Sequence, residues 1–159
     1  MKKTITLLGI LLIIVSAGSE LTAQTRGGNS LQLIAPANEL ADLYDVGVSF
    51  NGDIEFPRSD TFILGLQTGF QSWSPVERPD GTTPDEQNTF FIGGGAKYFL
   101  LGPLFAGADA GVFLGEFNEF TVIPNVGLRI GKFNIETTLS LDPPVQYLGF
   151  EIGYFWASN

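Results

Sequence analysis

The chain has 159 residues with no cysteine, no histidine, 20 glycines, 14 phenylalanines and a formal charge of −9, a length that suits one domain able to bury a core without staples. Without cysteine there is no disulfide framework, thiol nucleophile, lipoprotein acylation site or thiolate zinc site, and without histidine the commonest general base and metal ligand are gone. The acidic balance, 17 Asp and Glu against 8 Lys and Arg, argues against nucleic acid, whose phosphates need a basic surface.

Lys2 and Lys3 precede a run from Ile5 to Val15 that is apolar except for Thr6 and Gly9, and small and polar residues lead on to Leu21-Thr22-Ala23-Gln24. A charged start, a short apolar run and a small residue at the cut describe a secretory signal peptide. A membrane-spanning helix needs about 20 apolar residues, roughly twice what this run supplies. Cleavage is expected after Ala23, with Val15-Ser16-Ala17 as a second site. Residues 1–23 are therefore read as the signal and 24–159 as one exported domain.

From there on the pattern has period two, the signature of strands. A weaker opening strand covers Asn29–Ala35. In Tyr44–Phe56, Val46, Val48, Phe50, Ile54 and Phe56 share one parity, while Asp45, Gly47, Ser49, Asn51, Asp53 and Glu55 share the other. Thr61–Trp73 sets Phe62, Leu64, Leu66 and Phe70 against Gly65, Gln67, Gly69 and Gln71. Gln87–Leu100, Pro103–Leu114, Glu119–Gly131, Phe133–Leu141 and Val145–Trp156 repeat the arrangement, which makes eight strands. Longer and shorter connections alternate along the chain, the longest being Ser74–Asn88. Tight turns on one rim and longer loops on the other predict an all-β, eight-stranded antiparallel up-and-down barrel, with both termini on the tight-turn rim.

The polar parity repeatedly sets a polar side chain between or beside glycines: Gly65-x-Gln67-x-Gly69, Gly93-x-Gly95-x-Lys97, Gly107-x-Asp109-x-Gly111, Gly127-x-Arg129-x-Gly131 and Gly149-x-Glu151-x-Gly153. Glycine weakens a strand, so its repetition needs a reason. An eight-stranded barrel is just wide enough for its side chains to fill, and glycines leave room for ions to meet. The expectation is an interior network joining Lys97 and Arg129 to Asp109, Glu136, Glu151 and Asp53. Asp53 and Glu55 are read as buried charge rather than as an acid–base pair.

Alternation alone fits two barrels. A soluble or periplasmic lipocalin-like carrier would turn the apolar parity inward around a lipophilic ligand; a membrane barrel would turn it outward to lipid. Charge density favours the membrane. A soluble exterior is about 25–35% charged, whereas the whole chain is 16% charged. Phe56, Phe62, Phe90, Tyr98, Phe120, Phe133, Tyr154 and Trp156 gather toward strand ends on the apolar parity, as interfacial girdles do. Trp73 and Trp156 are both read as interface anchors.

The long-loop rim collects Glu39, Asp42, Glu77, Asp80, Asp85, Glu86, Glu116, Glu119 and Asp142 against Arg78. Solvation of exposed loops explains these acids; divalent cations bridging them to lipopolysaccharide phosphates would suit their hard oxygens. No loop has the spacing of a known calcium site. Gly93-Gly94-Gly95 sits inside a strand with no helix to follow, so it is no nucleotide loop. Without histidine a serine lacks its usual activating base, and neither catalysis nor a cofactor or metal is expected.

The pattern resembles the small outer-membrane β-barrel proteins of Gram-negative bacteria, OmpA/OmpX-like in architecture, and is most similar to the short outer-membrane barrels common in Bacteroidetes. The residues that carry the likeness are the LTAQ export junction, Ala35-Pro36 with Asp42-Leu43-Tyr44-x-x-Gly47, Gly94-Gly95-x-Lys97-Tyr98-Phe99, Asn125-Val126-Gly127, and Leu148-Gly149-Phe150-x-Ile152-Gly153-Tyr154-Phe155. The resemblance implies outer-membrane lipid and lipopolysaccharide as surroundings. It also implies an assembly signal in the last strand, read by the barrel-insertion machinery, whose spacing Gly149, Ile152 and Tyr154 fit. Ala157-Ser158-Asn159 depart from the family's aromatic ending. The function expected is that of a non-enzymatic membrane barrel with a structural or surface-interaction role and an ion-paired plug. The alternatives are the lipophilic carrier and a narrow channel.

Overall fold

The computed structural model describes residues 25–77, 81–115, 118–141 and 145–157. The expected signal peptide, residues 1–23, lies outside them, as do Arg78, Asp80, Glu116, Asp142 and the side chain of Glu39. The described chain forms β1 (Arg26–Pro36), a 3-10 turn (Asn38–Asp42), β2 (Tyr44–Pro57), β3 (Phe62–Pro75), β4 (Gln87–Leu101), β5 (Leu104–Gly115), β6 (Glu119–Ile130), β7 (Phe133–Ser140) and β8 (Tyr147–Ala157). Each strand pairs antiparallel with its sequence neighbour, and β1 closes on β8 from Arg26↔Ala157 to Pro36↔Tyr147. The result is a closed eight-stranded up-and-down barrel, with the first residues of β1 and the last of β8 on the same rim.

That rim also holds the short connections. Gly102 and Gly131 adopt φ of 55° and 62° in the β4–β5 and β6–β7 turns, a left-handed backbone that glycine enters without steric cost. Hydrogen bonds from Phe99 N–H to Thr61 O and from Arg129 N–H to Pro103 O, both 2.8 Å, tie successive turns together around the edge.

The two parities separate cleanly over most of the wall. Val48, Leu66 and Ile152 are 48, 45 and 52% exposed on the outside, while Ser49, Gln71 and Glu151 are buried within. The carrier arrangement, with the apolar parity inward, is not the one adopted. Three local departures from the sequence reading have visible causes. A register shift between Tyr44 and Gly47 breaks the alternation at the start of β2, so Tyr44 is buried and Asp45 is exposed rather than inward. A bulge of this kind places two residues of one strand against one of its partner and re-aims the side chains beside it. The first connection coils into the 3-10 turn and buries Leu40. The last strand begins at Tyr147 instead of Val145, because Val145 folds into the barrel mouth, where its carbonyl accepts a 2.6 Å hydrogen bond from Ser140 Oγ.

Candidate functional site

The interior is layered. At the loop rim a plug of Ile34, Leu40, Tyr44, Trp73, Phe91, Phe113, Ile123, Val145 and Tyr147 fills the mouth. Its rings meet at angles: Phe91 and Phe113 centroids are 5.3 Å apart, Trp73 and Tyr147 are 5.8 Å apart, and Phe113 and Tyr147 are 6.4 Å apart. Tilted pairs of this kind contribute about 0.5–1.5 kcal/mol each beyond their burial. The Tyr147 hydroxyl accepts from Gln71 Nε2 at 3.1 Å, and Gln71 Oε1 accepts from Thr89 Oγ1 at 3.2 Å. Trp73 is 2% exposed, so its expected role as an interface anchor is wrong. It shares a parity with Gln67, Gly69 and Gln71, and the pleat turns it inward with them. Trp156 is 41% exposed on the outer wall.

Beneath the plug lies a polar belt. Asn51 Nδ2 donates to Glu151 at 2.9 Å, Asn125 Nδ2 to Asp109 at 2.7 Å, Gln67 Nε2 to Asp53 at 3.2 Å, and Gln32 Nε2 to Thr138 Oγ1 at 2.6 Å. Each of the carboxylates Asp53, Asp109 and Glu151 thus takes an amide donor. Among the described residues none of the three has a cation within 4 Å.

The cations sit toward the short-turn rim and form two separate pairs. Lys97 Nζ is 2.7 Å from Glu136 Oε2 and lies 5.1 Å from the Phe105 ring centre. Arg129 makes a two-pronged contact with Glu55 at 2.6 and 2.9 Å, donates from Nε to Asn134 Oδ1 at 2.6 Å, and lies 4.8 Å from Phe155 and 5.6 Å from Phe99. The six residues expected to form one network are all inward-facing on the barrel, yet only Lys97 and Glu136 among them pair with each other, and Arg129 pairs outside the set. Glu55, left out of that network, is the partner of Arg129. Its inward parity was readable from the sequence, but its approach to a strand on the far side of the barrel was not.

Glycines make these close contacts possible. A Cβ at Gly127 would stand 2.5 Å from the Ile135 carbonyl, 2.6 Å from Glu136 Cβ and 2.7 Å from Phe105 Cζ. Gly127→Ala is accordingly expected to cost about 1–3 kcal/mol as an overpacking change, measured as a shift of the urea midpoint in detergent micelles. An unchanged midpoint would show that the Lys97–Glu136 layer is not tightly packed.

Among the described residues the interior holds small voids of about 10 Å³, one lined by Asn51, Gln67, Asp109 and Glu151 and another by Asp53, Gln67, Lys97 and Asp109. Each is about the room a single water needs. No group of three or more acidic side chains able to hold a metal ion occurs among the described residues. Of the assembly-signal residues, Gly149 lies inside, where the Gln32 and Thr138 side chains cross it, and Ile152 and Tyr154 face outward.

The chain matches no protein-family model and no curated protein. Solved structures are similar in shape. A de novo designed transmembrane β-barrel superposes with a TM-score of 0.52 at 15% identity, covering 86% of this chain and 99% of that one. The outer membrane protein Ail of Yersinia pestis, in a phospholipid bilayer nanodisc, superposes with a TM-score of 0.53 at 12% identity, covering 84% of this chain and all of that one. The fold is a closed β-barrel of the kind these membrane proteins adopt. At these identities the likeness concerns the path of the backbone and leaves the side-chain chemistry to be argued from this chain alone.

Proposed function

We propose that this protein is an integral outer-membrane β-barrel with a structural or surface-interaction role and no catalytic one. One observation carries the reading. Large apolar side chains stand exposed around the whole circumference, among them Leu31 and Phe50 at 59%, with Phe70, Ile92, Val126, Ile135 and Phe150 on other strands. Soluble monomers rarely expose apolar patches beyond a few hundred Å², whereas in hydrocarbon such a band is the favourable exterior. The closed order of strands also leaves no sheet edge to desolvate.

In this reading residues 1–23 direct export, the rim of termini and short turns is periplasmic, and the long loops lie at the cell surface. Outer-membrane lipid and lipopolysaccharide surround the wall, with divalent cations bridging lipopolysaccharide phosphates to the acidic loop rim. The insertion machinery would read Gly149, Ile152 and Tyr154 on β8. The β3–β4 connection, residues 76–86, is the main candidate for contact with a surface partner. A chain without histidine or cysteine supports a non-enzymatic role, and the small interior voids favour a plug over a narrow channel.

The protein is expected to stay with membranes through carbonate and high-salt washes, and to migrate differently on gels before and after boiling. Release by carbonate would overturn the membrane assignment. Stable, ion-selective conductance in planar bilayers would overturn the plug.

A further inference from the structure

The charges at the two rims differ in sign. Among the described residues the short-turn rim carries the exposed Lys132 and the half-buried Arg26 and Arg58 against Asp60. The loop rim carries Asp42, Asp45, Glu77, Asp85, Glu86 and Glu119, and no described base. The basic rim is also the more apolar and aromatic at its edge. Leu101, at the β4–β5 turn, is 80% exposed, with Leu100, Ile130 and Phe133 exposed beside the turns. On the outer wall just within that rim, Phe133, Tyr154 and Trp156 form a continuous ring cluster, with centroid separations of 5.2 and 6.4 Å. Backbone pairing sets the chain of two cations beside this cluster, Lys132 in the adjoining turn and Arg26 at the rim end of β1, on the strand's inward parity. Trp156 is the register partner of Gly27, which follows Arg26, and the Phe155 N–H donates to the Lys132 carbonyl at 2.8 Å.

Resting on the membrane reading above, we propose that the short-turn rim is a docking surface for anionic phospholipid headgroups, with the β7–β8–β1 sector around Trp156 as its best-formed part. The chemistry is complementary at two depths. Guanidinium and ammonium groups suit phosphate at the water boundary, and aromatic rings suit the headgroup level immediately beneath. Turns capped by leucine, isoleucine and phenylalanine favour a rim held within the interface, which keeps its cations near the phosphates. The opposite rim, acidic throughout its described part, repels the same lipids, so the protein sorts the lipid at its two ends. Attraction of about one lysine or arginine to an anionic surface corresponds to roughly fivefold local enrichment, and it fades as salt shortens the Debye length.

The chain contains two tryptophans, and only Trp156 faces outward, since Trp73 is sealed in the plug. Its fluorescence can therefore be quenched by brominated lipid in vesicles that are mainly phosphatidylcholine. At equal low mole fractions, brominated phosphatidylglycerol is expected to act as though about fivefold more concentrated than brominated phosphatidylcholine. The difference should vanish in 1 M salt, and in the Arg26→Gln/Arg58→Gln/Lys132→Gln variant. Equal quenching by the two lipids in the wild-type protein at low salt would overturn the docking surface while leaving the membrane barrel intact. Absence of quenching by either lipid would instead overturn the membrane reading itself.

Discussion

Arg129→Leu is expected to lower folding stability by about 3–5 kcal/mol, the cost of removing one member of a buried ion pair and leaving the other uncompensated. Both side chains are largely sealed, at 7% exposure for Arg129 and 4% for Glu55, and the guanidinium also serves Asn134 and two aromatic faces. Glu55→Leu should cost a similar amount, because it strands the arginine. The double variant Glu55→Leu/Arg129→Leu should lose much less than the sum, since an apolar pair of comparable volume removes both desolvation penalties together. Urea unfolding of all four proteins in the same micelles measures the coupling. Strictly additive losses would mean that the two groups do not depend on each other.

Phe50→Arg tests the outside of the wall as Arg129→Leu tests the inside. Phe50 lies in the middle of β2, exposed, between the inward Ser49 and Asn51. An arginine near the bilayer midplane costs about 2–4 kcal/mol on a barrel's lipid face, falling toward zero near the interfaces. In phospholipid vesicles the variant should lose that much stability, and Asp45→Arg at the end of the same strand should lose little. Equal tolerance of the two substitutions would mean that β2 does not lie against hydrocarbon.

Strand number, order and facing were legible because a pleat of period two converts the order of residues directly into sides of a wall. Val48, Leu66 and Ile152 on one side and Lys97, Asp109 and Glu151 on the other follow from counting alone. The same count should have taken Trp73, Phe91, Phe105, Phe113, Tyr147 and Phe155 inward, since each shares a parity with the glycines and ions of its strand. The expectation of an interface anchor at Trp73 ranked residue type above position. Period two is the stronger evidence where the strand is regular, and it fails only where the strand is not, as between Tyr44 and Gly47.

The pairing of Glu55 with Arg129 lay beyond such counting. Which inward side chains meet across the lumen depends on the tilt and stagger of the strands, and those are properties of the closed barrel rather than of any one segment. Lys97 and Glu136 present the same problem. The 3-10 turn at Asn38–Asp42 and the entry of Val145 into the mouth were hidden because each is a response to the cavity it fills.

The aromatic stopper under the loop rim gives the barrel a firm floor on which its longest connection stands. Val76 N–H donates to the Leu43 carbonyl at 3.0 Å, and the Tyr44 hydroxyl reaches the Asp85 carbonyl at 3.4 Å, so the segment between them is anchored at its two feet while the charged layers lie deeper. Foreign peptides grafted between those feet would be carried on an undisturbed scaffold, which makes this barrel a compact platform for presenting inserted sequences.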